Sequence, residues 1–206
     1  MNEVTVERDG ATLAGSFSPA GDTAVVAVHG AGFGERGWAL YRHLHELLPP
    51  AGIGVLTFDR RGEGESTGEP SRGRFDVQAD DALAFAELLD VDRVGLWGIS
   101  QGGWVGPVAA ARSDSVAFLV LLASAGVTPG EQMHFAVAEQ IRRAGYGPDA
   151  VERADELRTR AEEWIRSGAA GDLGADLAAA AREPWWPLAF LPDALPPEEA
   201  ARRSSA

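Results

Sequence analysis

The stretch Gly98-Ile99-Ser100-Gln101-Gly102 follows directly on the apolar run Arg93-Val94-Gly95-Leu96-Trp97. It has the pattern G-x-S-x-G, which is typical of a tight turn between a buried strand and a helix. Such a turn brings strand and helix close together two residues to either side of the serine, where only a residue without Cβ fits. Gly98 and Gly102 occupy those two positions. We therefore predict that the turn lifts the Ser100 hydroxyl to the top of a sheet.

The residue after the serine extends this prediction. The backbone N–H of Gln101 is expected at the N-terminus of the following helix, where it faces an oxyanion that forms on a bound substrate. A preorganised donor at such a place lowers a reaction barrier by about 2.7–4 kcal/mol. The stretch therefore predicts a nucleophilic serine beside an oxyanion donor.

Strands and helices alternate around this turn. Continuous apolar runs, which are typical of parallel strands covered on both faces, end in polar or glycine-rich segments. The predicted strands are Thr23–Val28, Ile53–Phe58, Arg93–Trp97 and Val116–Ala123, the predicted helices are Trp38–Leu48, Phe75–Leu89 and Ser100–Arg112, and an Asp9-Gly10 turn joins the hairpin Val4–Val6 and Thr12–Phe17. This order predicts an α/β fold with a three-layer, doubly wound, mostly parallel sheet. Ligands of such sheets bind at the carboxyl ends of the strands, where His29, Asp59 and Ser100 fall.

The sequence changes in character after Ser124. Three helical stretches rich in Ala, Glu and Arg follow without an intervening strand pattern, at Gly130–Arg143, Asp149–Ser167 and Asp172–Arg182. We interpret them as a helical cap that lies over the sheet. The predicted organisation is a core of residues 1–128, a cap of residues 129–184, and a Pro- and Trp-containing segment of residues 185–206 that ends in a disordered polar tail.

Composition limits the classes of function. The 206 residues suit one α/β domain, and the formal net charge of -13 disfavours nucleic acid and anionic membrane surfaces as partners. The chain has no Cys, which excludes disulfides, thiolate metal sites and a cysteine nucleophile. The polar start and the lack of a run of membrane-spanning length predict a cytoplasmic protein. Nothing in the sequence implies a metal ion or an organic cofactor.

Three motifs follow predicted strands, in the order His29-Gly30-Ala31-Gly32, Asp59-Arg60-Arg61-Gly62-Glu63-Gly64-Glu65-Ser66 and Gly98-Ile99-Ser100-Gln101-Gly102-Gly103. Over about residues 10 to 128 the chain resembles the α/β-hydrolase superfamily, and it is most similar to the bacterial esterase and acyl-peptidase-like branch related to prolyl oligopeptidases. The resemblance implies a serine hydrolase in which Ser100 attacks a small-molecule ester, amide or thioester and forms an acyl intermediate. It also implies an oxyanion hole of two backbone N–H groups, those of Gln101 and Ala31, and a catalytic acid and a histidine on two later strands.

The last part of the chain departs from this pattern. Residues 124–206 contain no strand pattern to carry the acid and the histidine, so we expect a C-terminally truncated form of the fold. His134 follows the serine, and Glu131 is a candidate to orient it as a substitute base. A serine without a base is a weak nucleophile. The alternative to a hydrolase is therefore an incomplete or non-catalytic member of the fold: a fragment, a half-enzyme that needs a partner chain, or a binding module.

Three histidines precede the serine, and we predict structural or solvent-exposed positions for them. His29 is expected to support its loop. His43 and His45 flank the apolar stripe of a predicted helix and are expected to lie in solvent. Asp59 is expected to accept hydrogen bonds from backbone N–H groups of its own loop.

The arginine and tryptophan side chains near the motifs each have two alternative roles. Arg60 and Arg61 either stabilise the structure or hold a substrate carboxylate. Trp104, Trp185 and Trp186 either line an apolar pocket for a small acyl group or pack in a core. The sequence favours the structural reading of both arginines and leaves the tryptophans open.

The strand predicted at residues 116–123 raises a question of stability. With no later strand beside it, this apolar segment becomes the edge of the sheet, with unpaired backbone groups. We expect it to be covered, either by the cap helices, by a second copy of the chain in a homodimer, or by a separate chain that supplies further strands.

Overall fold

The computed structural model describes residues 1–167, 171–192 and 195. The chain divides into two compact units, Met1–Ser124 and a second unit that begins at Ala125. Each unit has hydrophobic clusters of its own, two in the first unit and one in the second. The predicted polar tail falls largely on residues 193–194 and 196–206, which lie outside the described residues.

Six strands form the sheet of the first unit: β1 (Asn2–Arg8), β2 (Ala11–Ser18), β3 (Thr23–Val28), β4 (Ile53–Phe58), β5 (Arg93–Ile99) and β6 (Val116–Leu122). Their order across the sheet is β1-β2-β4-β3-β5-β6. The last four strands of the chain run parallel, and β1 and β2 form an antiparallel hairpin that pairs with β4. The predicted doubly wound, mostly parallel sheet is confirmed, as is the hairpin turn at Asp9 and Gly10, which both have positive φ.

Three helices cover the two faces of this sheet: α1 (Ala39–Leu47), α2 (Phe75–Leu88) and α3 (Gly102–Arg112). Alternate residues of β3 show why both faces need cover, because successive side chains of a strand point to opposite faces. Val26 belongs to the cluster that contains residues of α2 and α3, whereas Val25 and Ala27 pack with Tyr41 and Leu44 of α1. The first unit is therefore a three-layer α/β sandwich.

The described part of the second unit contains three α-helices: α4 (Pro129–Arg143), α5 (Pro148–Ser167) and α6 (Leu173–Ala180). Their positions agree with the three helical stretches predicted from the sequence. A short 3-10 helix, Trp186–Leu188, follows. The cluster that these elements share contains fully buried aliphatic residues, including Ile141, Leu157 and Leu177. The predicted role of this unit as a cap stays a prediction.

The strand β6 lies at one edge of the sheet, as the sequence predicted. Within the described residues it pairs with β5 alone. Val120, Leu121 and Leu122 are 39%, 38% and 36% exposed, which is unusual for consecutive apolar residues of a strand. No helix in the described part of the chain is long and apolar enough to cross a membrane.

Candidate active site

The centre of the candidate site is Ser100, between the end of β5 and the start of α3. Its φ of 52° lies in the left-handed region, which costs a residue with a side chain of order 1–3 kcal/mol. The Ser100 N–H donates a 2.9 Å hydrogen bond to the Leu122 carbonyl at the end of β6, which holds the turn against the neighbouring strand. Ser100 itself is exposed. The predicted strand-to-helix turn with an accessible serine is present.

The two flanking glycines are required by contact with the backbone. A Cβ on Gly98 would lie 2.4 Å from the carbonyl oxygen of Gly102, and a Cβ on Gly102 would lie 2.5 Å from that of Val28. Both distances are far shorter than a van der Waals contact. The helix start thus sits directly on the ends of β5 and β3, which is the close approach that the sequence pattern predicted.

The loop after β3 runs beside the serine. A Cβ built on Gly30 would lie 3.7 Å from the Cβ of Ser100 and 3.4 Å from the Ile99 carbonyl oxygen. Ala31 follows in this loop and is exposed. Within the described residues, neither the Ala31 N–H nor the Gln101 N–H donates to a backbone carbonyl. The two N–H groups that the resemblance implies for an oxyanion hole are therefore not used in backbone hydrogen bonds, and their role stays a prediction.

His29 is a structural residue beneath this loop. Its side chain is buried, its Nδ1 lies 2.8 Å from the Tyr41 hydroxyl, and its ring meets Tyr41 and Phe58 edge to face. Burial, together with the charge of the nearby Arg60, lowers the pKa of His29 to about 3, so the imidazole is neutral at physiological pH. A neutral ring enclosed in this way supports the loop, as predicted.

The loop after β4 is closed by Asp59. Its carboxylate accepts hydrogen bonds from the backbone N–H groups of Arg36 at 2.7 Å and Glu65 at 2.9 Å, and from the Arg36 guanidinium at 2.6 Å. The prediction that Asp59 binds backbone N–H groups is confirmed, although Arg36 belongs to a different loop from the one expected. Arg61 forms a buried two-pronged ion pair with Asp81 of α2, at 3.1 and 2.5 Å. Asp59 and Arg61 therefore both stabilise the structure.

The prediction for His45 was wrong. The side chain is half-buried, and its two ring nitrogens lie 2.8 Å from the Ser18 hydroxyl and 3.0 Å from the Thr57 hydroxyl. Burial lowers its pKa. Helical periodicity placed His45 beside the apolar stripe but could not show that strands β2 and β4 offer hydroxyls there. His43 is exposed, as predicted.

His134 has different neighbours from those suggested by the sequence. Its Nδ1 lies 2.5 Å from Asp155 and its Nε2 lies 3.5 Å from Glu162, both on α5. Glu131 instead closes a capping box at the start of α4, where its carboxylate accepts from the Thr128 N–H and hydroxyl. The structure thus pairs His134 with Asp155 and not with Glu131. No local pattern indicated Asp155, because it lies on another helix.

The three tryptophans fall into different surroundings. Trp104, in the first turn of α3, is partly buried and stacks on Phe75 with ring centroids 6.0 Å apart. Trp185 and Trp186 are buried in the hydrophobic cluster of the second unit. For these two residues the structure shows core packing, the alternative that the sequence had left open. Among the described residues, no group of three or more His, Asp or Glu side chains is arranged to hold a metal ion.

The chain is similar in sequence to a curated protein that is named a hydrolase. Over 103 residues the chain is 35% identical to an Escherichia coli protein named 2-hydroxy-6-oxononadienedioate/2-hydroxy-6-oxononatrienedioate hydrolase, a match that covers 48% of this chain and 36% of that protein. The chain thus spans only about a third of the length of this curated relative.

Two solved structures show the same fold. An α/β hydrolase from Penicillium sp. sh18 is 27% identical with a TM-score of 0.53, covering 69% of this chain and 53% of that one. An esterase of Pyrococcus furiosus is 22% identical with a TM-score of 0.58, covering 73% of this chain and 58% of that one. A family model described as the alpha/beta hydrolase family matches residues 25–205. On this match and on the fold and turn described above, the chain belongs to the alpha/beta hydrolase family.

Proposed function

We propose that the chain acts by acyl transfer on a carboxylic ester, amide or thioester of a small-molecule substrate. The Ser100 hydroxyl loses its proton as its oxygen bonds to the carbonyl carbon, and the carbonyl oxygen becomes an oxyanion that accepts from the Gln101 and Ala31 N–H groups. The bond from that carbon to the leaving group then breaks, and the leaving group takes up the proton that Ser100 lost. Water then cleaves the acyl-Ser100 bond and releases the carboxylic acid. The observation that carries the proposal is the exposed serine at φ 52°, held between two glycines at which a Cβ would clash with backbone carbonyl oxygens.

A strained serine is the specific support for catalysis over a binding role. Its backbone conformation costs free energy, and a purely structural turn would be more stable with glycine at that position. Proteins keep such strain where function needs it. The base that accepts the Ser100 proton is not assigned by the described residues of the first unit, because His29 is buried and His45 is held by two hydroxyls. The alternative of an incomplete or non-catalytic family member therefore remains the competing proposal.

A fluorophosphonate probe tests the proposal directly. The serine oxygen bonds to phosphorus, fluoride leaves, and the intact mass of the protein rises by one adduct. We expect labelling of the chain, no labelling of Ser100→Ala, and normal labelling of Ser115→Ala, which changes an exposed serine in the turn between α3 and β6. If no Ser100-dependent adduct forms and ester hydrolysis does not exceed that of Ser100→Ala, the self-sufficient enzyme is rejected in favour of an incomplete or binding protein.

A second reaction is favoured by the Escherichia coli relative. Its name describes hydrolysis of 2-hydroxy-6-oxononadienedioate, and it is 35% identical over the matched residues. Attack on a ketone and attack on an ester both place negative charge on a carbonyl oxygen, so the same two N–H groups serve either substrate. Offering the purified chain that compound, a short-chain ester and an acyl-peptide amide separates the possibilities. Turnover of the amide would support the acyl-peptidase-like branch.

The exposed edge of β6 supports a proposal about partners. Three consecutive exposed apolar residues lie on this strand, which has a neighbouring strand on one side only within the described residues, and such an edge favours pairing with another strand. A second copy of the chain or a separate chain would meet this need. Sedimentation velocity at several protein concentrations, repeated with Leu121→Glu, tests for the homodimer: association that the substitution abolishes supports it, and a monomer at all concentrations leaves the separate chain.

A further inference from the structure

The side chain of Arg60 is among the largest fully buried side chains of the described residues, and it contacts the loop that carries Ala31. Its Nη2 donates to the carbonyl oxygen of Gly30 and lies 3.5 Å from that of Phe33, and its Nη1 lies 3.0 Å from Glu63. The Arg60 backbone N–H also donates to the Gly34 carbonyl at 2.6 Å. One residue thus holds the loop at three carbonyls on either side of Ala31.

The bond to the Gly30 carbonyl determines where the Ala31 N–H points. The Gly30 C=O and the Ala31 N–H belong to the same peptide group, which is planar and trans, so the two bonds point in opposite directions. A guanidinium fixed on the carbonyl oxygen therefore turns the N–H away from Arg60. The charge on Arg60 also polarises that peptide group, which strengthens the N–H as a donor.

Glu63 and Arg72 extend this arrangement. The Glu63 carboxylate accepts from the Arg72 guanidinium at 2.9 and 3.2 Å as well as from Arg60, so one carboxylate lies between two guanidiniums. The two arginines lower the pKa of Glu63, although burial opposes them. A Cβ on Gly34 would lie 2.5 Å from a Glu63 oxygen, which shows how closely this carboxylate packs against the loop.

Arg72 also reaches the second proposed donor. The side-chain Nε2 of Gln101 donates to the Arg72 carbonyl oxygen at 2.8 Å, and Gln101 is only 8% exposed. The Gln101 N–H belongs to the peptide group of the Ser100 carbonyl, which accepts from the Gly103 N–H at 2.8 Å. The residue whose backbone N–H opens α3 is therefore fixed through both its backbone and its side chain.

We infer that Arg60, Glu63 and Arg72 form a positioning network that sets the direction of the Ala31 N–H and its separation from the Gln101 N–H. The inference rests on the proposed function, since it concerns the oxyanion hole of that reaction. None of the three residues acts on the substrate. They hold the two donors in place before the reaction begins, which is how preorganised donors stabilise a transition state without reorganisation.

Two conservative variants test the inference. Arg60→Lys keeps the charge, but an ammonium group cannot bind Glu63 and the Gly30 carbonyl in the geometry of a planar guanidinium. Arg61→Lys is the matched control, because the neighbouring Arg61 is also buried and paired, but with Asp81 of α2. Thermal unfolding of both variants establishes a temperature at which each is folded. Glu63→Gln, which keeps the shape and weakens both ion pairs, replaces Arg60→Lys if that variant does not fold.

The first measurement is the rate of fluorophosphonate labelling at Ser100. We expect Arg60→Lys to lower it at least tenfold, since a displacement of about 1 Å costs roughly a hundredfold, and Arg61→Lys to change it less than threefold. With an ester substrate kcat should fall while KM changes less than twofold, because the donors act in the transition state. Equal labelling of the two variants, with a wild-type chain that labels, overturns the inference and leaves the proposed function intact.

The second measurement does not depend on activity. The residual dipolar coupling of the Ala31 N–H reports the direction of that bond in solution. We expect it to differ from the wild-type value in Arg60→Lys and to keep that value in Arg61→Lys. An unchanged coupling in Arg60→Lys overturns the inference. If the wild-type chain is not labelled at all, the proposed function fails, and this coupling alone decides whether Arg60 orients the peptide.

Discussion

Charged side chains serve different purposes in the two units. In the first unit, Arg60, Arg61 and Asp81 are buried. Arg60 pairs with Glu63 of the same loop, and Arg61 pairs with Asp81 of α2. In the described part of the second unit, every side chain in an ion pair is at least 26% exposed; Arg160 and Asp172 are an example, with 26% and 84% of their side chains exposed. A buried ion pair loses its hydration, and well-placed hydrogen bonds must offset the free energy of that loss. An exposed pair stays hydrated, so either side chain can bind water when its partner is removed.

The difference indicates where precision is needed. The first unit holds polar backbone in defined positions around Ser100, and the second unit packs amphipathic helices whose polar faces tolerate change. We therefore expect substitutions of matched chemistry to have large effects in the first unit and small effects in the second.

The largest effect is expected from breaking the Arg61 to Asp81 pair. Asp81→Ala leaves a buried guanidinium without its carboxylate, which costs about 3–5 kcal/mol in the free energy of unfolding. The control in the second unit is Asp176→Ala, whose partners Arg153 and Arg160 keep other carboxylates nearby. For it we expect no change beyond experimental error. Urea unfolding measures both, and similar losses for the two would remove the contrast between the units.

The next effect concerns the backbone contact at the serine turn. Gly102→Ala forces a methyl group to within 2.5 Å of the Val28 carbonyl oxygen, and overpacking of this kind costs about 1–3 kcal/mol or more. Gly106→Ala, one turn later in α3, meets nothing nearer than a leucine methyl at 3.5 Å and should gain about 0.5–1 kcal/mol from helix propensity. Chemical unfolding of both variants measures the difference. A stable Gly102→Ala variant would contradict the close approach.

The third prediction is a pH dependence that originates in His29. Its folded-state pKa of about 3 lies below the ordinary value of 6.5, so the unfolded chain binds a proton that the folded chain does not. The free energy of unfolding should fall as pH decreases from about 6.5 toward 3, by at most about 1.4 kcal/mol per pH unit from this residue. The slope between pH 6.5 and 5 should be shallower in His29→Asn than in the wild type. Equal slopes would show that His29 is not buried and neutral.

A smaller effect is expected at the nucleophile itself. Ser100→Gly relieves the positive φ and should stabilise the fold by about 1 kcal/mol while it abolishes fluorophosphonate labelling. Ser113→Gly, at a position with φ of -148°, should destabilise the fold slightly, because glycine has no advantage there. Thermal or urea unfolding distinguishes the two. Loss of stability in Ser100→Gly would mean that the serine is not strained.

The smallest effect is expected from His134 in the second unit. Both of its ring nitrogens already face carboxylates of α5, so we expect His134→Gln to change the labelling rate of Ser100 less than twofold. A fall in the range of 10²–10⁴-fold, typical of losing a general base, would instead assign the base to His134 and Asp155. Asp155→Asn should then show a fall in the same direction.

Much of the first unit was predictable because its signals are local. The Asp9-Gly10 turn, the buried strands and the two glycines around Ser100 each follow from the conformation that a short segment must adopt. The same holds for the three helices of the second unit, which were predicted from segments rich in Ala, Glu and Arg. Predictions failed where a side chain found its partner on another element, as His45 did with Ser18 and Thr57.

By itself the sequence determined the serine turn and the order of strands and helices, since backbone sterics and hydrophobic periodicity act over a few neighbouring positions. Only the tertiary structure decided that Arg60 holds the Gly30 carbonyl, that the Gln101 side chain reaches Arg72, and that His134 lies beside Asp155. These contacts join residues 30, 29 and 21 positions apart. A long polar side chain can reach many partners, and the packing of whole elements selects one of them.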